Sequence, residues 1–232
     1  MTDSLASPHP VELRRRPALA PDAVARANRD LVTATPAEVV RWACHQFGRR
    51  LVLTASFADT ILIDIATEAD ADIEVIFLDT GFHFAETLDT VRRAMERYRL
   101  DLTVLRPDPA AADVWAAGTA ACCAARKVEP LDRYLATHAD AWLSGLRRAD
   151  HPSRADAPLV SIDRRGLVKI NPIAAMTDDE YEAHAVEHGV LLNTLHLDGY
   201  SSVGCWPCTE PSSDRRAGRW AGSGKTECGL HL

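Results

Sequence analysis

No run of apolar residues in this chain of 232 is long enough to cross a bilayer, so no transmembrane helix is expected. The first 21 residues hold prolines and a short arginine run but no apolar h-region, so no secretory signal is expected and the chain reads as cytoplasmic. Positive charge is not in excess. Lys and Arg number 26 against 33 Asp and Glu, a formal charge of -7, which argues against a nucleic-acid partner and leaves room only for local basic clusters. There is no internal repeat. In a reducing compartment the six cysteines point to metal binding or catalysis rather than structural disulfides. The length suits one good core, and only residues 1–20 read as disordered.

What is present is an alternation of short apolar runs and amphipathic stretches. Thr35-Pro36-Ala37-Glu38 reads as a capping box opening a helix, with Val39, Val40, Ala43, Cys44 and Phe47 on one face and Gly48 at its end. Cys44 on that face reads as a small buried hydrophobe. Leu51 to Leu53 predicts a strand, a turn spans Thr54 to Ser56, and Ile61, Leu62 and Ile65 mark a helix. Ile73 to Leu78 predicts the second strand, Phe84 to Tyr98 a helix, and Leu100 to Leu105 the third strand. Ala141 to Gly145 predicts a fourth, and Leu159 to Ile162 with Leu167 to Ile170 an edge hairpin. Thr177 to Glu180 is a second capping box, for a helix ending at Gly189. The pattern implies an α/β fold: an open, mostly parallel twisted sheet flanked by helices. Ligands of such sheets bind at the carboxyl ends of the strands, which places the turn after Leu53, the Leu78-Asp79-Thr80-Gly81 segment and Gly145 around one crevice.

The turn from Thr54 to Thr60 runs from a strand into a helix N-terminus, a common anion site. It resembles the phosphate loop of adenine nucleotide alpha-hydrolase-like proteins. Ser56 and Asp59 match that loop, but Phe57 and Ala58 replace its glycines. Side chains there block the close backbone approach that a pyrophosphate needs, which disfavours ATP cleavage.

Four cysteines fall in two pairs, Cys122-Cys123 and Cys205-Trp206-Pro207-Cys208. Four thiolates suit a tetrahedral zinc or an iron–sulfur cluster. Adjacent side chains point apart, which strains a one-ion site and is met by ligating different irons, so a 4Fe-4S cluster is favoured over zinc. Arg126 and Lys127 follow within a turn, placed to offset the cluster's negative charge. A thioredoxin-like redox pair would need a helix after the Cys-x-x-Cys, and Thr209 to Ser213 carries no helical pattern. Cys228 is different: it lies beside Gly229 and His231 in a stretch with almost nothing to build a core, the setting of a presented nucleophile.

Together, Cys-Cys followed by Arg126-Lys127, Gly204 to Thr209, Gly218-Arg219-Trp220 and Glu227-Cys228-Gly229-Leu230-His231 resemble the assimilatory adenylyl-sulfate reductases. These form the iron–sulfur branch of the phosphoadenylyl-sulfate/adenylyl-sulfate reductase family. Leu78 to Gly81 and Ser144 to Arg148 look like family segments too, and the resemblance covers Val39 to His231. It implies reduction of adenylyl sulfate to sulfite and AMP, on the route to cysteine, through an S-sulfo intermediate on Cys228. A separate thioredoxin or glutaredoxin would resolve that intermediate. It implies Ser56, Leu78 and Gly145 at the nucleotide, and Lys127, Arg154, Arg216, Arg219 and His231 at the phosphosulfate. Cys122, Cys123, Cys205 and Cys208 would hold the cluster, whose presence implies a substrate without a 3'-phosphate. The chain then divides into a disordered 1–20, a nucleotide-binding 21–204, and a cluster-binding, mobile tail 205–232, with Thr209 to Lys225 a flexible tether. A homo-oligomer is compatible with all of this. The competing readings are a nucleotide-activating sulfur transferase of the tRNA thiolase kind, a zinc-stabilised binding module, and a plain thiol–disulfide oxidoreductase. None of them accounts for the tail.

Overall fold

The computed structural model describes residues 18–111, 114–221 and 225–230, so the disordered start expected over residues 1–20 lies mostly outside the described residues. In chain order the regular elements begin with α1 (Pro21–Asp30) and α2 (Pro36–Phe47). The alternating part follows: β1 (Leu51–Ala55), α3 (Ile61–Ala69), β2 (Glu74–Leu78), α4 (Ala85–Tyr98) and β3 (Asp101–Leu105). After it come α5 (Thr119–Cys123), α6 (Glu129–His138), β4 (Ala141–Ser144), β5 (Val160–Ile162), β6 (Val168–Ile170) and α7 (Asp178–Glu187). Both capping boxes form, Thr35 with Glu38 and Thr177 with Glu180. Among the described residues no helix is long and apolar enough to cross a membrane.

The strands make one sheet in the order β3-β2-β1-β4-β6-β5, parallel throughout except for the β5–β6 edge pair. Because β1 lies between β2 and β4, connections leave it in opposite directions, and a crevice opens beyond its carboxyl end. Alternate residues face opposite layers. Leu51, Leu53, Val75, Phe77 and Leu143 pack with α2 and α3 in the larger core, whereas Val52, Ile76 and Trp142 face Leu131 and Leu135 of α6 in a smaller one. Leu230 packs on that second cluster beside Leu78 and Leu105, so the tail closes part of the face that α6 leaves open. Cys44 is half-buried against the larger core, and burial pushes its thiol up to about 11. It is inert packing, as its place on the α2 face suggested.

Lys169 of β6 lies 5.4 Å from the Trp142 ring centroid, and burial followed by nearby Arg154 pushes its ammonium down to about 8, against the pull of Asp163 and Glu227. An amine that binds its proton more weakly in the fold than in the unfolded chain gains stability as pH rises from that value toward the ordinary ~10.4. Lys169→Met is therefore expected to stabilise the protein at neutral pH, by roughly 2–3 kcal/mol, and to abolish the rise. Urea melts of both proteins at neutral pH and near pH ~10 read the difference.

Candidate active site

Beyond the carboxyl ends of β1, β2 and β4 lies a cavity of about 560 Å³. Ser56, Leu78 and Gly145 line it from the strand ends, Lys127 and Arg154 from the sides, and Arg216, Arg219 and Cys228 from the last segment. All of the expected substrate residues within the described part therefore meet in one place. His231 lies outside the described residues.

The strand-to-helix turn explains one side. β1 runs on to Ala55, one residue past the expected turn start. Phe57 then adopts φ +55 and is fully buried, edge-on to Phe77 with centroids 5.3 Å apart. A bulky residue in the left-handed region is held there by its surroundings; here the ring fills the space under the loop. At the N-terminus of α3, two backbone donors are already engaged within the protein. Asp59 Oδ1 accepts from Ile61 N at 3.0 Å, and Thr60 N donates to Leu191 O at 3.0 Å, while the N-cap Thr60 itself makes no side-chain cap.

Cations fill the opposite side. Arg154 donates to both oxygens of Glu227, Nε to Oε1 at 2.7 Å and Nη2 to Oε2 at 2.9 Å, and Arg216 Nη2 reaches Oε2 at 3.3 Å. Burial raises the Glu227 carboxyl, but these two guanidiniums outweigh it and hold the group below the usual range. Arg219 Nη1 donates to Val203 O at 3.0 Å, and its guanidinium lies 4.7 Å from the Trp220 ring centroid. Arg216 and Lys225 flank the same ring at 5.7 and 5.5 Å, so one buried indole gathers three cations. Burial lowers the pKa of Arg216 and of Arg219, and nearby Cys228 opposes it in both. The Nε atoms of both are buried without a hydrogen-bond partner. Two guanidiniums with unspent donors beside a thiol form a site for an oxyanion.

Next to this cavity, and sharing Lys127, Arg219 and Trp220 with it, the thiols of Cys122, Cys123, Cys205 and Cys208 surround a smaller space. Burial, then Cys123 and Cys205, raises the Cys122 thiol; burial, then Cys205, Cys123 and Cys122, raises that of Cys208. None of the four is in a disulfide. Four thiols this close can shed their protons together only to a positive centre, so the donor set fits a metal cofactor. The chain reaches the nest from two directions. A single π-helical turn, Ala124–Val128, follows Cys123 and turns Arg126 over the Phe82 ring at 4.7 Å. The Cys205–Cys208 stretch is a short 3₁₀ turn with no helix after it, pinned by Trp206 N to Phe82 O at 2.9 Å and by the contact of Thr80 Oγ1 with Cys205 Sγ at 3.2 Å.

The tether reading of Thr209 to Lys225 needs correction. Glu210 N donates to Gly218 O at 2.8 Å, Ser212 N to Gly199 O at 2.9 Å and Trp220 N to Cys208 O at 2.9 Å, so residues 209–220 form a closed loop packed on the body. Non-local backbone pairs order it, which is why composition misled. A Cβ on Gly204 would overlap the Arg219 guanidinium. Gly204→Ala is thus expected to drive Arg219 out of the cavity and to lower activity by roughly 10²–10³-fold, the loss of one oxyanion donor. The thermal midpoint should hardly move. A steady-state assay beside a melt checks both.

Sequence reasoning missed several cavity residues, Glu227, His83 and Arg147 among them. Glu227 was visible only as the neighbour of Cys228. His83 is half-buried, with Nε2 2.8 Å from Leu78 O, and burial lowers its pKa. Arg147 lies 3.9 Å over the Tyr181 ring and pairs with Asp150 and Asp178. No spacing rule links these residues.

Residues 50–211 match the family model described as the phosphoadenosine phosphosulfate reductase domain. Similar curated proteins include adenosine 5'-phosphosulfate reductases of Mycobacteroides abscessus, 43% identical, and Streptomyces coelicolor, 44% identical; in each case 89% of this chain and 92% of the relative are covered. Among solved structures, a phosphoadenylyl-sulfate reductase from Candida auris in a phosphate complex superposes with a TM-score of 0.74 at 28% identity, covering 83% of this chain and 98% of that one.

Proposed function

The chain belongs to the adenosine 5'-phosphosulfate reductases of the phosphoadenosine phosphosulfate reductase family, and on that premise we propose that it reduces adenylyl sulfate to sulfite and AMP in assimilatory sulfate reduction. The observation that carries this reading is the cavity that Cys228 shares with the strand-end loops and with two buried guanidiniums whose Nε atoms lack partners.

The nucleoside lies against Ser56, Leu78 and Gly145, and the phosphosulfate faces Lys127, Arg154, Arg216, Arg219 and the tail's His231. Cations there let an anionic thiolate approach an anionic substrate. Cys228 Sγ forms a bond to the sulfate sulfur. The bond from that sulfur to the bridging phosphate oxygen breaks, and its electron pair leaves with AMP. An S-sulfocysteine remains. A dithiol carrier, thioredoxin or glutaredoxin, attacks Cys228 Sγ and releases sulfite with the bonding pair. Its second thiol then frees Cys228 and leaves the carrier as a disulfide, so both electrons come from the dithiol. The tail beyond Trp220 closes over the substrate and opens to the carrier.

Cys122, Cys123, Cys205 and Cys208 hold a 4Fe-4S cluster. The adjacent Cys122 and Cys123 strain a site for a single tetrahedral zinc, and several irons let the two thiolates ligate different metals. When bound, the cluster contributes charge and order beside Lys127 and Arg219, and no electron of the reaction passes through it.

Before substrate arrives, Glu227 pairs with both Arg154 and Arg216 and offsets one of their two charges. The incoming phosphosulfate must displace that carboxylate. Glu227→Gln is expected to tighten adenylyl sulfate binding about tenfold, the worth of one charged hydrogen bond no longer competed for. Equilibrium titration against the wild type reads it. For the overall function, anaerobic turnover with a dithiol carrier should release AMP and sulfite in equal amounts from adenylyl sulfate. AMP without sulfite, or a requirement for ATP, would point to a nucleotide-activating transferase instead.

A further inference from the structure

Helix α7 packs on α3 without a single fully buried side chain of its own. Tyr181 and Ala185 only lean on the core. A helix so poor in apolar contact needs another anchor, because burial is what ordinarily holds a surface helix in place. Its inward face presents His184 and His188, four residues apart, to Asp64 and Glu68, four residues apart on α3. His184 Nε2 lies 3.1 Å from Asp64 Oδ2, and His188 Nδ1 lies 3.0 Å from the same oxygen. Glu68 Oε1 is 3.4 Å from His188 Nδ1. The two imidazoles stack at 4.0 Å with 16° between their planes.

Two nitrogens and a buried carboxylate oxygen thus converge on one point, and a second carboxylate stands at the rim. Ligand bonds of 2.0–2.2 Å in a tetrahedral site give edges of about 3.4 Å. The three nitrogen-to-oxygen separations of 3.0, 3.1 and 3.4 Å need only a few tenths of an ångström of opening, and the ligand atoms of Asp64, His184 and His188 all lie within 4.8 Å of one another. Asp64 is 6% exposed, and a carboxylate so buried requires a counter-charge. A dication held between the carboxylate and the two imidazoles would supply it. Glu68 and His188 are open enough to solvent to give the ion a way in.

We propose that Asp64, His184 and His188, with Glu68 at the rim, form a site for a divalent transition metal of the zinc class that staples α7 to α3. Imidazole donors select such ions over magnesium or calcium, and the absence of sulfur from the set separates this site from the cysteine nest. The staple bears on the cavity, because Tyr181 and Ala185 of α7 and Asp59 just before α3 line its wall. It extends the fold's account independently of the proposed reaction.

The test uses the full chain with its cysteine-bound metal and sulfide content measured first. After passage over a chelating resin, Co2+ is titrated in anaerobically. One further equivalent should bind, with visible bands of a nitrogen–oxygen site and no thiolate-to-cobalt charge transfer in the near ultraviolet. The thermal midpoint should rise by about 5–10 °C at a hundredfold excess over Kd. His184→Gln and His188→Gln should each weaken binding at least roughly tenfold and cut that rise to about half or less at the same cobalt concentration, with cysteine-bound metal unchanged. Glutamine keeps a hydrogen bond to Asp64, and His188 lies nearer solvent, so at least one variant should fold. No equivalent beyond the cysteine site, or equal cobalt uptake by the wild type and both variants, would overturn the proposal and leave an ordinary His–Asp–His hydrogen-bonded pair of helices.

Discussion

Cys228→Ser is expected to lower sulfite formation by at least ~10⁴-fold, the scale on which removal of a covalent nucleophile acts. A serine hydroxyl stays protonated at neutral pH and cannot take the sulfo group. Its neighbours hold the position from both sides: Glu227 through Arg154 and Arg216, and Leu230 through the second core cluster. The tail should therefore still dock, and nucleotide affinity should stay within a few-fold of wild type. Sulfite release and equilibrium nucleotide binding, measured on the same preparation, separate lost chemistry from lost structure. A serine variant that keeps turning over would assign the nucleophile elsewhere.

The second large effect concerns the thiol nest. Cys205→Ser should strip most of the iron and sulfide from the protein and reduce activity by two to three orders of magnitude or more, because a donor beside the reacting group loses its place. Arg219 lies between the four thiols and Cys228, and feels Cys205, Cys208 and Cys123 as well as Cys228. Cys205 also meets Thr80, and its carbonyl accepts from Thr209 Oγ1 at 2.9 Å, tying the segment after β2 to the closed loop that carries Arg216 and Arg219. Losing the centre should thus loosen 205–220 while the sheet persists. Iron and sulfide analysis beside limited proteolysis reads both. Full iron content in the variant would break the assignment, and stoichiometric zinc in the wild type without sulfide would replace the cluster with a single ion.

Much of the fold is legible because its signals are local. The two Thr…Glu capping boxes, the apolar runs at Leu51, Ile73, Leu100 and Ala141, and the Asp163-Arg164-Arg165-Gly166 turn each act over a few residues, and each forms where the sequence puts it. Helices α1 and α6 gave weaker signals. Ala20 offers α1 no side-chain cap, and α6 emerges directly from the π-turn after Cys123 without a break. The closed loop at 209–220 was read as a tether because its order comes from pairs such as Glu210 with Gly218, which composition does not record. At the site, the cysteines and the arginines near Cys228 were legible as motif. Glu227 across Arg154 and Arg216, three cations on Trp220, and the histidines of α7 against Asp64 depend on elements far apart in the chain.

The central claim is that Cys228 takes the sulfo group from adenylyl sulfate. It is tested most directly by mixing the purified protein anaerobically with adenylyl sulfate in the absence of any thiol donor, followed by intact and peptide mass spectrometry. The account predicts one SO3 added per chain, located on Cys228, with an equal amount of AMP released. Intact protein that holds iron and sulfide but acquires no adduct, or an adduct on any other residue, would contradict it.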